Sequence, residues 1–209
     1  MTTLALRERQ ALCDLALELG EDAPTLCEGW DARDLVAHLL VRERRPIASS
    51  GNMIGALSGL TERAMARERR KPYAALVDRL RSPAPVLRVV PGLDSAMNSF
   101  EMLVHHEDLR RGQAGWEPRE LAPADLDALW SQLARGGAFL GRKLPVPTQL
   151  RRTDTGAVAT ARKGADPAVV AGPVVELALF LFGRDATRGI TVEGTDEQVA
   201  AIRSAELGV

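Results

Sequence analysis

The chain has 209 residues with 27 Lys and Arg against 28 Asp and Glu, a net charge of -1. A balance this close to neutral gives no general attraction to nucleic acid or to an anionic membrane, and points to a small or neutral partner. No stretch reaches the roughly 20 apolar residues a bilayer span requires, and the opening "MTTLALRERQ" lacks the basic-then-apolar order of a signal peptide, so a cytoplasmic protein is expected.

Apolar residues recur at helical spacing from Leu4 to about Glu18 and stop at Gly20, which predicts a first helix closed by a glycine. "DAPTLCEGW" reads as a loop. Asp31 is placed to cap a second helix, with Asp34 adding favourable charge to its first turn. That helix carries Leu35, His38, Leu39 and Val41 and must end near Arg45, because Pro46 has no amide proton. From about Asn52 to Arg81 the composition is helical, with Gly55, Gly59 and Pro72 as weak points. The "RERR" runs at Arg42–Arg45 and Arg67–Arg70 interleave both signs of charge and are expected on solvated helix faces.

"SPAPVLRVVPG" is a proline-rich linker, and Leu93 to about Arg111 is strongly helical until "GQAGWEP". Pro123 suits the first turn of a further helix running through Leu126, Leu129, Trp130 and Leu133 towards Gly141. Residues 1–143 are therefore expected to form one mainly helical domain, and residues 144–209 a small α+β lobe. In that lobe "TQLRRTDTGAVATARKG" predicts a hairpin turning at "TDTG". "GPVVELALFLFG" predicts a compact helix between Pro173 and Gly183, and "GITVEG" a short strand. The last helix begins with a capping box of Thr195 and Gln198. The expected order is ββαβα. Cys13 and Cys27 do not form a CxxC pair, which argues against a cysteine-rich zinc knuckle.

The chemistry concentrates on the three histidines. In "FEMLVHHEDLRR", Glu101 and His105 stand four apart, so both project from one helical face, while His106 turns about 100° away. A carboxylate with two neutral imidazoles is a common ligand set for zinc and other divalent first-row metals, and three protein ligands leave a position open. The remaining ligand would be His38, projecting inward from the second helix, as helical bundles build metal centres from facing helices. The plainer alternative is a core histidine at 38 and a helix-stabilising Glu101–His105 pair. Asp108, one turn beyond His105, is a candidate to orient that imidazole or to pair with Arg110 or Arg111. Cys27 is placed either near the mouth of such a site or in the core as a structural thiol, and Trp30 as a core or staple residue.

"LCEGWDARDLVAHLL" followed by "FEMLVHHEDLRR" resembles the metal-binding four-helix domain of the mycothiol-dependent maleylpyruvate isomerase family, within the DinB-like superfamily. "LRRTDTGAVATARKG", "GPVVELALFLFGR" and "ITVEGTDEQVAAI" are similar to the small sterol-carrier-like domain attached to many members. With "PTLCEGW" before the histidine helix, the likeness extends to small actinobacterial metal-binding proteins of that superfamily. The resemblance implies an α+β chain: an N-terminal DinB-like four-helix bundle and a C-terminal sterol-carrier-like lobe. It places the metal, usually zinc, on His38, Glu101 and His105. It implies a thiol transferase or isomerase that uses a low-molecular-weight thiol such as mycothiol on an electrophilic substrate. The alternative is a non-enzymatic metal-binding or ligand-sensing module, favoured by a closed coordination sphere with His106 or another carboxylate as fourth ligand. A metal-assisted hydrolase and a homodimeric assembly also stay open, and no catalytic base stands out.

Overall fold

The computed structural model describes residues 3–44, 58–85, 87 and 93–208. The expected helix stop at Pro46, the weak point at Gly55 and most of the proline-rich linker lie outside the described residues. The chain divides into two compact units, Met1–Glu117 and Pro118–Val209.

The first unit is helical throughout its described elements. Helix α1, Leu4–Leu19, starts where the Thr3 hydroxyl accepts from the Leu6 amide and ends at Gly20, whose φ of 88° only glycine adopts readily. Helix α2, Ala32–Arg44, begins as expected at Asp31, whose Oδ1 accepts from the Asp34 amide at 2.8 Å. The segment before the linker is two helices, α3 (Ser58–Arg69) and α4 (Tyr73–Arg81). Pro72 separates them, whereas Gly59 sits within α3 without breaking it. Helix α5 spans Leu93–Arg111. Leu12, Leu35, Leu39, Leu76, Leu80 and Met102, drawn from α1, α2, α4 and α5, meet in one buried cluster. At about 2 kcal/mol for each large side chain removed from water, this cluster is what fixes α2 and α5 relative to each other.

The arginine-rich runs are not simply solvated faces, as their alternating charge predicts. Glu68 is buried with its carboxylate held by Lys71 and Arg79, each at 2.6 Å, because a buried carboxylate needs compensating donors. Arg44 donates to the carbonyls of Arg79 and Ser82 at 2.8 and 2.7 Å, which ties α2 to the end of α4.

In the second unit, α6 (Pro123–Leu140, with Pro123 in its first turn) runs into a 3-10 turn at Gly141–Lys143. Strands β1 (Thr148–Arg152) and β2 (Val158–Arg162) form the predicted antiparallel hairpin, with φ of 73° at Gly156 in the turn. Strand β3 (Ala168–Gly172), unforeseen from the sequence, pairs parallel to β1, and β4 (Thr191–Glu193) pairs antiparallel to β3. The sheet order is β2-β1-β3-β4. An interior strand buried on both faces loses the polar-apolar alternation that marks a strand, and "AVVAG" runs straight into the next apolar helix. Helices α7 (Val174–Leu181) and α8 (Asp196–Arg203) complete the unit, and both halves of the Thr195–Gln198 capping box are formed.

The sequence groups α6 with the bundle and begins the lobe at residue 144; in the structure α6 lies in the compact unit Pro118–Val209. Helix α6 packs on β2 and α7. Close approach to the sheet explains this allegiance: a Cβ on Gly141 would lie 2.7 Å from the Ala161 carbonyl oxygen. Both units together make the expected α+β chain.

Candidate metal centre

The site is built in the first unit by α2, α5 and the loop ahead of α2. Asp31 Oδ1 starts α2, and seven residues later His38 emerges beside the buried Leu35 and Leu39. The loop is folded on itself: Pro24 bridges Asp31, the Ala32 amide donates to Ala23, and the Thr25 hydroxyl donates to the Trp30 carbonyl at 2.8 Å. It is then fastened to the last turns of α5. The Leu26 amide donates to the Asp108 carbonyl at 3.0 Å, and Gln113 Nε2 donates to the Pro24 carbonyl at 2.8 Å. Gly112 permits this seat, since a Cβ there would collide with the Pro24 carbonyl and come within 2.8 Å of the Thr25 Cα.

Helix α5 brings Glu101 and His105 to the same face, as their spacing requires, and α2 brings His38 to them. One ligand atom from each of His38, Glu101 and His105 lies within 4.8 Å of the other two. The His38 and His105 rings stand edge to face with centroids 5.2 Å apart. Trp30, expected as a core or staple residue, is half-buried with its ring centroid 4.9 Å from that of His38, so it walls the site. His105 Nε2 and Glu101 Oε2 are 3.6 Å apart. That is too long for a hydrogen bond but near the roughly 3.4 Å that separates two ligand atoms on a tetrahedral zinc ion.

The other ring nitrogen of His105, Nδ1, lies 2.9 Å from Asp108 Oδ2, and Asp108 is fully buried. Asp108 is therefore placed to orient His105, and Arg110 and Arg111 reach Glu107 at 3.0 and 2.7 Å. His106, facing away as expected, pairs with Glu8 of α1 at 2.8 Å and stands outside the ligand group. Asp34, one turn before His38, is paired with Arg69 of α3; burial and Asp31 raise its pKa despite that pairing.

Arg42 was not singled out as a site residue. It lies one helical turn after His38, with Nε 3.2 Å from Glu101 Oε2 and Nη1 donating to Asn98 at 2.8 Å. The same i, i+4 rule that pairs Glu101 with His105 would have found it. Burial raises the pKa of Glu101, but His105, Arg42 and His38 outweigh it and hold the carboxyl at about 2. Burial likewise opposes a charge on His105, yet Asp108, Cys27 and Glu101 raise its pKa well above 6.5. The pocket thus favours positive charge at His105 Nε2, which a proton or a metal ion can supply. With neutral imidazoles, Glu101 and Asp108 against Arg42 leave one net negative charge to attract a cation. The donor set, one carboxylate and two imidazoles with an orienting carboxylate behind one of them, fits a divalent metal such as zinc.

A solved structure of mycothiol-dependent maleylpyruvate isomerase matches with a TM-score of 0.60 over 90% of this chain and 90% of that one, at 20% identity. The chain shares that isomerase's fold. A histidine-to-alanine mutant of the isomerase matches equally, at 19% identity and TM-score 0.60 over the same shares of both chains. The structural relationship meets the resemblance carried by "LCEGWDARDLVAHLL" and "FEMLVHHEDLRR", and it spans both units rather than the helical one alone. No protein-family model matches the chain, and neither does any curated protein. No described helix is long and apolar enough to cross a membrane.

Proposed function

We propose that the protein is a divalent-metal-dependent thiol transferase or isomerase, with zinc on His38, Glu101 and His105 and a low-molecular-weight thiol such as mycothiol as co-substrate. The observation that carries this reading is the convergence of those three side chains, from two helices, within 4.8 Å of one another. The fold shared with an isomerase that depends on mycothiol supports it further.

A bound divalent ion with three protein ligands supplies a Lewis acid with an open position, which lowers the pKa of a thiol or of water. The chain's own residues prepare that position. Asp108 holds the His105 Nδ1 proton, fixing the tautomer that presents the Nε2 lone pair. Arg42 keeps Glu101 ionised and limits its swing. His106 is tied to Glu8, so it does not close the coordination sphere, and this favours the enzyme over a purely structural ion. Cys13 and Cys27 are not joined in a disulfide.

Protein purified without a histidine tag is expected to carry close to one equivalent of metal, and His38→Ala to lose it. The metal-loaded protein is then assayed with mycothiol and electrophilic acceptors. Full metal retention by His38→Ala removes the ligand assignment. Full metal occupancy without turnover above background removes the enzyme and leaves a ligand-sensing module.

A further inference from the structure

Behind the His38 site, on the opposite edge of the His105 ring, lies a second group of donors. Cys27 Sγ, Asp108 Oδ2 and a His105 ring nitrogen lie within 4.8 Å of one another. Sγ is 3.2 Å from Asp108 Oδ2, which is 2.9 Å from His105 Nδ1. The thiol and the carboxylate come from positions 81 residues apart. Their meeting is built rather than incidental: the Leu26 amide donates to the Asp108 carbonyl, the Thr25 hydroxyl accepts from the Cys27 amide at 3.1 Å, and Gly112 leaves room for the loop. Asp108 is fully buried, while Cys27 is half-buried and reachable.

We propose that Cys27, Asp108 and His105 form a second, thiophilic cation site, used in alternation with the His38 site rather than together with it. The two sets differ in chemistry. His38, Glu101 and His105 offer only nitrogen and oxygen, whereas the second set adds a thiolate, the ligand that selects soft cations. Alternation follows from the shared ring. Neutral imidazole has one lone pair: when Nε2 binds an ion, Nδ1 keeps its proton for Asp108, and when Nδ1 binds, Nε2 keeps a proton directed at Glu101. Filling the second set releases the Cys27 thiol proton to solvent, moves the His105 ring proton from Nδ1 to Nε2, and forms sulfur–metal, nitrogen–metal and oxygen–metal bonds. No oxidant or reductant enters. The second set itself stands without the proposed function; only the alternation rests on that reading.

Cadmium is the probe. The doubly substituted variant His38→Ala, Glu101→Gln removes two ligands of the first set and leaves the second whole. Titrated metal-free with Cd2+, it is expected to bind one equivalent with a near-ultraviolet thiolate-to-cadmium absorption that disappears when Cys27→Ser is added. In the unsubstituted protein, Cd2+ is expected to slow iodoacetamide modification of Cys27 by at least about tenfold, because a coordinated thiolate is no longer a free nucleophile. Mn2+, which prefers oxygen and nitrogen ligands, is expected to give little protection. Cys13, fully buried, is the internal control in the same mass spectrum. Cadmium uptake without the thiolate band, a band that survives Cys27→Ser, or equal Cys27 modification with and without Cd2+ overturns the proposal. Should the double variant fail to fold by circular dichroism, the protection measurement on the unsubstituted protein decides. Failure of the first site appears separately, as metal retained by His38→Ala.

Discussion

Asp108→Asn tests the His38 site without touching any of its three ligands. The substitution keeps the size and one oxygen acceptor at a fully buried position 2.9 Å from His105 Nδ1, but removes the negative charge that makes the imidazole a better donor. Groups that orient a metal-binding histidine are typically worth about 10- to 100-fold in metal affinity, or roughly 1.4–2.7 kcal/mol at 1.36 kcal/mol per decade. Proton competition works the other way. Burial opposes the His105 charge, and Asp108 is the first of the groups that override it, so the variant's His105 titrates at lower pH. Below the raised pKa of the parent protein a proton blocks Nε2, and apparent affinity climbs by up to about tenfold per pH unit until that pKa is passed. The variant should reach its plateau at lower pH and at a lower affinity. Zinc binding measured by competition with a chromophoric chelator at several pH values separates the two effects. A plateau affinity within about twofold of the parent, with an unchanged pH profile, refutes the role given to Asp108.

Leu39→Ala, beside His38 and fully buried, should cost about 2–5 kcal/mol in urea unfolding of the metal-free protein; a loss under about 1 kcal/mol would mean that α2 is not held by this core. Gly141→Ala places a methyl 2.7 Å from the Ala161 carbonyl oxygen, and should destabilise the second unit by about 1–3 kcal/mol while metal binding in the first is unchanged. Cys13 and Cys27 should differ in alkylation. Burial pushes the Cys13 thiol up to about 12, against the lowering influence of Arg81 and Arg9, so only about one molecule in ten thousand is thiolate at pH 8. In the metal-free folded protein the label should therefore fall on Cys27, and Cys13 should react as pH approaches 12 or on unfolding; comparable labelling of both at pH 8 would contradict the burial of Cys13.

Local rules were legible in the sequence where the information is local. The Gly20 stop, the Asp31 cap, the Pro72 break and the Thr195–Gln198 box each depend on residues within a turn of one another, and each appears in the structure. Four-residue spacing likewise put Glu101 and His105 on one face and turned His106 to another. Strand β3 stayed hidden because burial on both faces erases its alternation, and the packing of α6 on β2 and α7 was not legible because an apolar helix face does not say what it packs on.

What the sequence determined by itself is the supply of donors and their directions along each helix, since backbone periodicity alone sets those. Only the tertiary structure decided that His38 meets Glu101 and His105, that Asp108 stands behind His105, and that Cys27 reaches Asp108 across 81 residues. Those meetings depend on how α2, α5 and the loop ahead of α2 pack through the leucine core and the Gly112 contact. Packing is a property of the surfaces that face each other, which no single segment of the chain carries.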